Sequence, residues 1–153
     1  MDINEKFMKE ALKQAKIAYA KDEVPIGAVI VKDGKIIARA YNKREINMQS
    51  TAHSEILAIE KACKKLNNWR LMDCDLYVTV EPCPMCAGAI LNSRIRKVYF
   101  GALDKKSGAV VSNINMLDSE YCNHKALYEA GILSSECEHI LKDFFKKLRI
   151  ESW

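Results

Sequence analysis

Ile3, Phe7, Ala11, Ala15 and Ala18 recur at helical spacing, and Lys6, Lys9, Lys13 and Lys16 fall elsewhere on the same surface. A period of three to four residues predicts an amphipathic helix over 3–21. The pattern then shortens. Pro25 to Val31 and Lys35 to Tyr41 read as two strands, and Asp33-Gly34 between them marks a hairpin turn, because glycine tolerates positive φ. Residues 42–50 are a polar loop. Ser50 or Thr51 is the expected cap of a helix running to about Leu66, with Ile56, Ile59, Cys63 and Leu66 inward. Asp75 to Val80 is a third strand, Pro84 to Arg94 a short helix, and Lys97 to Ala102 a fourth strand. Residues 103–124 read as irregular, with one helical turn near Met116. Lys125 to Ala130 is a weak fifth strand ended by Gly131, and Ser134 or Ser135 opens a last helix to about Ile150.

Strands and helices alternate after residue 50. A strand–helix–strand connection favours parallel neighbours joined by a right-handed crossover. The expected fold is therefore α/β: a three-layer α/β/α arrangement around a central five-stranded mixed sheet that opens with an antiparallel hairpin.

Composition narrows the class. At 153 residues the chain suits one domain, 1–153, long enough to bury a core without disulfide staples. Apolar residues make up 49% and charged residues 29%, which excludes a largely disordered chain. No apolar run approaches the ~18 residues of a membrane span. The start, Met1-Asp2-Ile3-Asn4-Glu5-Lys6, lacks the basic-then-apolar pattern of a secretion signal, so the expected location is cytoplasmic. The net charge of +4 permits an anionic partner without requiring one. In that setting the six cysteines are expected as thiols, and a cluster of them points to metal or catalysis before disulfide.

Two segments carry the candidate chemistry: Thr51-Ala52-His53-Ser54-Glu55 and Glu81-Pro82-Cys83-Pro84-Met85-Cys86. Proline suits the first helical position, where its missing N–H is not needed, so Cys83 becomes the cap and Cys86 the third helical residue. Both sulfurs then sit at the positive end of a helix, which favours thiolates. Two neighbouring thiolates call for a cation, and Zn²⁺ accepts sulfur in four-coordination. Alone, the Cys-Pro-Met-Cys run also reads as a buried or redox pair. His53 and Glu55 lie about 200° apart on a regular helix, so helical geometry alone does not bring them together. Side chains of a first turn do lean toward the helix start, which allows both to reach one site. One His and two Cys leave a fourth position for water, the pattern of a catalytic site, with Glu55 as the acid/base.

His-x-Glu followed by Pro-Cys-x-x-Cys is the established mark of zinc nucleobase deaminases, so a known pattern is matched here. The sequence resembles the bacterial tRNA-specific adenosine deaminase family, within the cytidine-deaminase-like superfamily. The resemblance spans nearly the whole chain. It rests on Glu23-Val24-Pro25-Ile26-Gly27-Ala28, on Thr51 to Glu55 with Ser54 in place of the common Ala, and on Leu76 to Gly88. It continues in Gly101 to Ala109 (with Leu103 at a usually polar position), Asn123-His124-Lys125 and Phe144 to Arg149. The zinc motif marks the superfamily, and the later segments point to the tRNA branch.

That resemblance implies a cytidine-deaminase-like fold, a homodimer, one zinc ion per subunit, and deamination of the wobble adenosine of a tRNA anticodon loop to inosine. It implies that His53, Cys83 and Cys86 hold zinc and that Glu55 shuttles protons. It implies that Asn42 hydrogen-bonds the base, and that the Arg44, Asp104, Lys106, Phe145 and Arg149 regions line the RNA path. Two rivals share parts of this reading. A deaminase of a free base or nucleotide (guanine, cytosine or deoxycytidylate) would use the same zinc and Glu55, with Trp153 as an aromatic tail over a small pocket. A zinc-stabilised RNA-binding module would need a fourth protein ligand. Cys63, Cys74, Cys122 and Cys137 read as small packing residues, His139 as a surface residue, and His124 as either packing or RNA contact.

Overall fold

The computed structural model describes residues 2–120 and 122–151. Helix α1 (Ile3–Ala20) begins where the Asp2 carboxylate accepts from the Asn4 amide at 2.8 Å. It buries Phe7, Met8, Ala11, Leu12, Ala15 and Ala18, while Ile3, expected on that stripe, is 58% exposed. Strands β1 (Gly27–Lys32) and β2 (Lys35–Tyr41) form the expected hairpin. Its turn holds Asp33 and Gly34 at φ 51° and 74°, the left-handed pair that matches strand twist.

Helix α2 (Ser54–Leu66) starts later than its sequence suggests. Its cap is His53, not Ser50 or Thr51, which lie in the preceding turn. Its fully buried face carries Glu55, Ala58 and Ala62; Ile59, Cys63 and Leu66 pack beside it, partly buried. Small side chains let the helix lie close on the sheet. Strand β3 (Cys74–Val80), helix α3 (Pro84–Asn92) and strand β4 (Lys97–Ala102) form one parallel crossover unit. A 3₁₀ turn at Met116–Asp118 precedes the short edge strand β5 (Leu127–Ala130), and α4 (Ser134–Glu151) closes the described chain.

The sheet order is β2-β1-β3-β4-β5, antiparallel across β2, β1 and β3 and parallel across β3, β4 and β5. Strand alternation divides the core in two. Ala28, Ile30, Leu76, Val78, Val98 and Phe100 meet α2 and α3 on one face. Val29, Val31 and Tyr77 meet α1 and α4 on the other. The fold is therefore the three-layer α/β/α arrangement the pattern predicts. Gly27 sits so close to α1 that a Cβ there would overlap the Ala11 carbonyl oxygen. Among the described residues no helix is long and apolar enough to cross a membrane.

Candidate active site

The starts of α2 and α3 meet at one place beside the sheet. His53 lies just ahead of α2 with extended backbone, φ −74° and ψ 152°. Cys83 holds the equivalent position before α3, with φ −78° and ψ 173°, and Pro84 opens that helix. Because His53 is outside the helix, the angular separation expected from helical geometry does not apply. Its ring and the Glu55 side chain both reach the space ahead of the helix.

His53 Nδ1 is 3.7 Å from Cys83 Sγ and 3.6 Å from Cys86 Sγ. The three donor atoms lie within 4.8 Å of one another. A tetrahedral zinc site with Zn–N and Zn–S bonds of about 2.0 and 2.3 Å has N···S edges of about 3.5 Å. The donor set thus matches the size and chemistry of a zinc site and can hold a divalent metal ion. The hydrogen bond from Cys86 brings the Cys83 thiol down to about 4 against the opposing effect of burial, and His53 adds to the lowering. The same bond, with burial, drives the Cys86 thiol well above its usual range. The Cys83 contact raises His53 although burial opposes it. A metal ion must displace these protons to bind.

Glu55 is 4% exposed and neighbours both His53 and Cys86. Burial pushes its carboxyl above the usual carboxylate range, and the Ser54 hydroxyl, donating to Oε1 at 2.8 Å, pulls the other way. A buried carboxyl beside a metal-type donor set is a candidate general acid/base.

The adjoining cleft, about 160 Å³, is lined by Val24, Ile26, Asn42, Arg44, His53 and Glu55 among others. A larger groove of about 930 Å³ between α1 and α4 contains none of the donor residues. Asn42 is buried. Its Nδ2 donates to the Val24 carbonyl at 3.2 Å, and its Oδ1 accepts from the Arg44 amide at 3.1 Å. It is therefore a turn residue and a cleft residue at once. Arg44 is exposed at the rim. Asp104 Oδ1 accepts from the Lys106 and Ser107 amides, shaping a loop on which Lys106 is exposed. On α4 the two phenylalanines separate: Phe144 is buried and Phe145 is 41% exposed, with Arg149 also exposed.

Two buried carboxylates, Glu81 and Glu23, do positioning work that the sequence alone does not assign to them. Glu81 accepts from the amides of Asp104, Val110, Val111 and Ser112, and from the Ser112 hydroxyl. Burial alone would raise its carboxyl, but these donors outweigh burial and hold it below the usual range. Gly108 leaves the room this requires, since a Cβ there would overlap the Glu81 carboxyl. Glu23 accepts from the Glu45 amide at 3.1 Å and the Ile46 amide at 2.7 Å. Both residues open segments that the sequence singles out, Glu81 directly after β3 and Glu23 four residues ahead of β1, but nothing in those segments tells which amides each carboxylate will hold.

Cys74 and Cys137 are buried, and Cys63 and Cys122 are partly buried against the core. His124 Nε2 lies 2.9 Å from the Ile95 carbonyl oxygen, a packing role, and His139 is exposed. Trp153 lies outside the described residues.

A three-layer sheet whose two helix starts bring one imidazole and two thiols around a shared centre, with a buried glutamate alongside, has the frame of a deaminase. The comparisons agree: residues 2–149 match the model of the MafB19-like deaminase family, and the chain belongs to that family. It is 53% identical over 149 residues to the tRNA-specific adenosine deaminase of Bacillus subtilis, covering 97% of this chain and 92% of that one. A solved structure from work on A-to-I editing by tRNA:A34 deaminases at the wobble position superposes with a TM-score of 0.86 at 47% identity, over 89% of this chain and 99% of that one. The guanine deaminase from Nitrosomonas europaea shares the fold at TM-score 0.80 and 25% identity, over 92% of this chain and 83% of that one.

Proposed function

We propose that this chain is a zinc-dependent enzyme that hydrolytically deaminates the wobble adenosine of a tRNA anticodon to inosine, releasing ammonia. The observation that carries the reading is the His53–Cys83–Cys86 donor set, three ligands with Glu55 buried beside them. The 53% identity to a tRNA-specific adenosine deaminase supports the substrate.

His53, Cys83 and Cys86 hold one zinc ion per subunit. Zinc bound there supplies Lewis-acid activation of a water molecule. Glu55 accepts a proton from the attacking water and passes it to adenine N1; it then takes the remaining proton of the new C6 hydroxyl and delivers it to the amine, which leaves as ammonia while C6 becomes a carbonyl. The C6–O bond forms and the C6–N bond breaks. Asn42 spends one amide hydrogen on Val24 and one lone pair on Arg44, leaving a donor and an acceptor position for the base. Arg44, Lys106 and Arg149 line the RNA path as cations, Asp104 shapes the Lys106 loop, and the exposed ring of Phe145 offers a stacking face for an unpaired base.

The working unit is a homodimer acting in the cytoplasm. Helix α3 has no charged residue, yet its outer positions Met85, Gly88 and Ala89 are only half-buried. A helix without a polar face belongs inside a larger assembly, and a second copy covers it. Sedimentation tests this: a monomer at micromolar concentration removes the dimer.

The deciding experiment incubates the protein with an anticodon stem-loop carrying a wobble adenosine, with and without a chelator. Parallel reactions contain guanine, cytosine or deoxycytidylate. Chelator-sensitive inosine formation is expected on the RNA alone. Turnover of a free base without inosine in the RNA replaces this reading with the free-base one.

A further inference from the structure

We infer that Lys21 and Lys43, gathered around the ring of Tyr41, form a phosphate clamp at the rim of the cleft that takes the sugar-phosphate backbone of the RNA substrate. The inference rests on the tRNA reading above and adds a contact to it.

Lys21 Nζ stands 5.7 Å and Lys43 Nζ 5.0 Å from the centroid of the Tyr41 ring. Both distances lie within reach of the ring's negative face, which attracts an ammonium. Two like charges drawn to one ring repel each other, so the cluster gains from an anion. Asp22 and Glu45 are the nearest acids in sequence. Among the described residues, however, neither ammonium has a carboxylate within the 4.0 Å of an ion pair. Lys21 is exposed and Lys43 half-exposed. The charge demand is therefore met by solvent or by a partner.

The cluster is built on fixed backbone. Lys21 ends α1, its amide bonded to the Ala18 carbonyl at 3.0 Å, and Asp22 turns the chain with φ 62°. Tyr41 ends β2, paired with Gly27. The two segments are then stitched together. Asn42, between Tyr41 and Lys43, bonds Val24 through its side chain and Ile26 through its amide, and the Glu23 carboxylate holds the Glu45 and Ile46 amides. Asn42 also lines the cleft with His53 and Glu55. Lys43 stands between the cleft-lining Asn42 and Arg44, and Lys21 two residues ahead of the cleft-lining Glu23, so both ammoniums are carried on the backbone beside the cleft mouth, on the side where a nucleotide next to the reacting base carries its phosphate. A phosphodiester supplies the missing anion.

The test is the salt dependence of binding to the anticodon stem-loop, with inosine formation followed in the same samples. For Lys21→Ala/Lys43→Ala, binding at low salt should weaken roughly tenfold, and the log–log salt slope should fall by about 1.4, two single-strand phosphate contacts. The turnover rate at saturating RNA should be unchanged, and Lys21→Arg/Lys43→Arg should restore both binding values. The charge-matched pair Lys64→Ala/Lys65→Ala, exposed at the far end of α2, should leave the slope as in the parent. If the parent forms inosine but the Lys21/Lys43 variant keeps its slope, or the Lys64/Lys65 variant loses as much, the clamp is refuted and the deaminase reading stands. If the parent forms no inosine, the deaminase reading falls and takes the clamp with it.

Discussion

The Ser54 hydroxyl donates to Glu55 Oε1 at 2.8 Å, and both side chains are buried. Ser54 is also where the His-x-Glu segment departs from the common family form. A hydrogen bond to one carboxylate oxygen restricts the rotation of the group. Its net worth when charge-assisted is about 1.5 kcal/mol. Ser54→Ala should lower kcat by up to about tenfold and leave KM in place. Steady-state kinetics on the stem-loop check this, and an unchanged kcat removes Ser54 from the positioning of Glu55.

Glu55 and Cys86 should part company in their variants. Glu55→Gln keeps the donor set, so bound zinc should stay stoichiometric while turnover falls by ~10²–10⁴-fold, the usual worth of general acid–base catalysis. Cys86→Ala leaves two ligands and should lose the metal. Metal analysis beside single-turnover rates separates the two. Full activity in zinc-loaded Glu55→Gln would falsify the proton-transfer role.

Thiol labelling reads the cluster without any RNA. The Cys83 thiol, held at about 4 in the metal-free cluster, is a thiolate at neutral pH and half-exposed. Burial pushes the Cys137 thiol up to about 12. Since the thiolate is the nucleophile, iodoacetamide at pH 7.5 should alkylate Cys83 after chelation. Zinc loading should protect it, and Cys137 should stay silent in both states. Peptide mapping gives the answer, and labelling of Cys83 at equal rates with and without zinc would remove it as a ligand.

Glu81 should matter to stability before chemistry. Glu81→Ala leaves four backbone amides of the 104–112 loop without their acceptor. Unsatisfied donors cost ~1–3 kcal/mol each where water is excluded, so a net loss of about 3 kcal/mol is expected in urea unfolding. Binding of the stem-loop should weaken as the loop bearing Asp104 and Lys106 loosens. A midpoint equal to the parent's would show that the loop holds its shape without this carboxylate.

Gly27→Ala is a purely steric test. The added methyl would meet the backbone of α1 at Ala11 and Ala15, which has no soft side chain to yield. Overpacking of this kind costs about 1–3 kcal/mol. Thermal unfolding should report a lower midpoint, and an unchanged one would mean that α1 shifts away freely.

Much of the fold is legible along the chain. The period of apolar positions places every helix and strand within a few residues, and Asp33-Gly34 gives the hairpin turn directly. The two thiols of the donor set are legible too, since a proline at the first helical position makes Cys83 the cap and puts Cys86 in the first turn of α3. The start of α2 is not. Ser50 and Thr51 are better caps by side-chain chemistry, but the 42–52 segment is held as a separate turn: the Glu23 carboxylate takes the Glu45 and Ile46 amides from outside it, and within it the Lys43 amide bonds to Ala52 and the Gln49 amide to Arg44. The helix is thereby delayed to Ser54.

Sequence by itself determined the local things: which segments are helix or strand, which residue types can bind a metal, and that two thiols sit at one helix start. These follow from neighbours within a turn or two, where backbone geometry is fixed by residue identity. Only the tertiary structure decided that His53 meets Cys83 and Cys86, that Glu55 is buried beside them, and that Glu23 and Glu81 are internal anchors. Those facts depend on groups from separate segments being packed out of water together. The free energy of a buried carboxyl is set by the amides and hydroxyls that reach it, and no run of letters records which ones will.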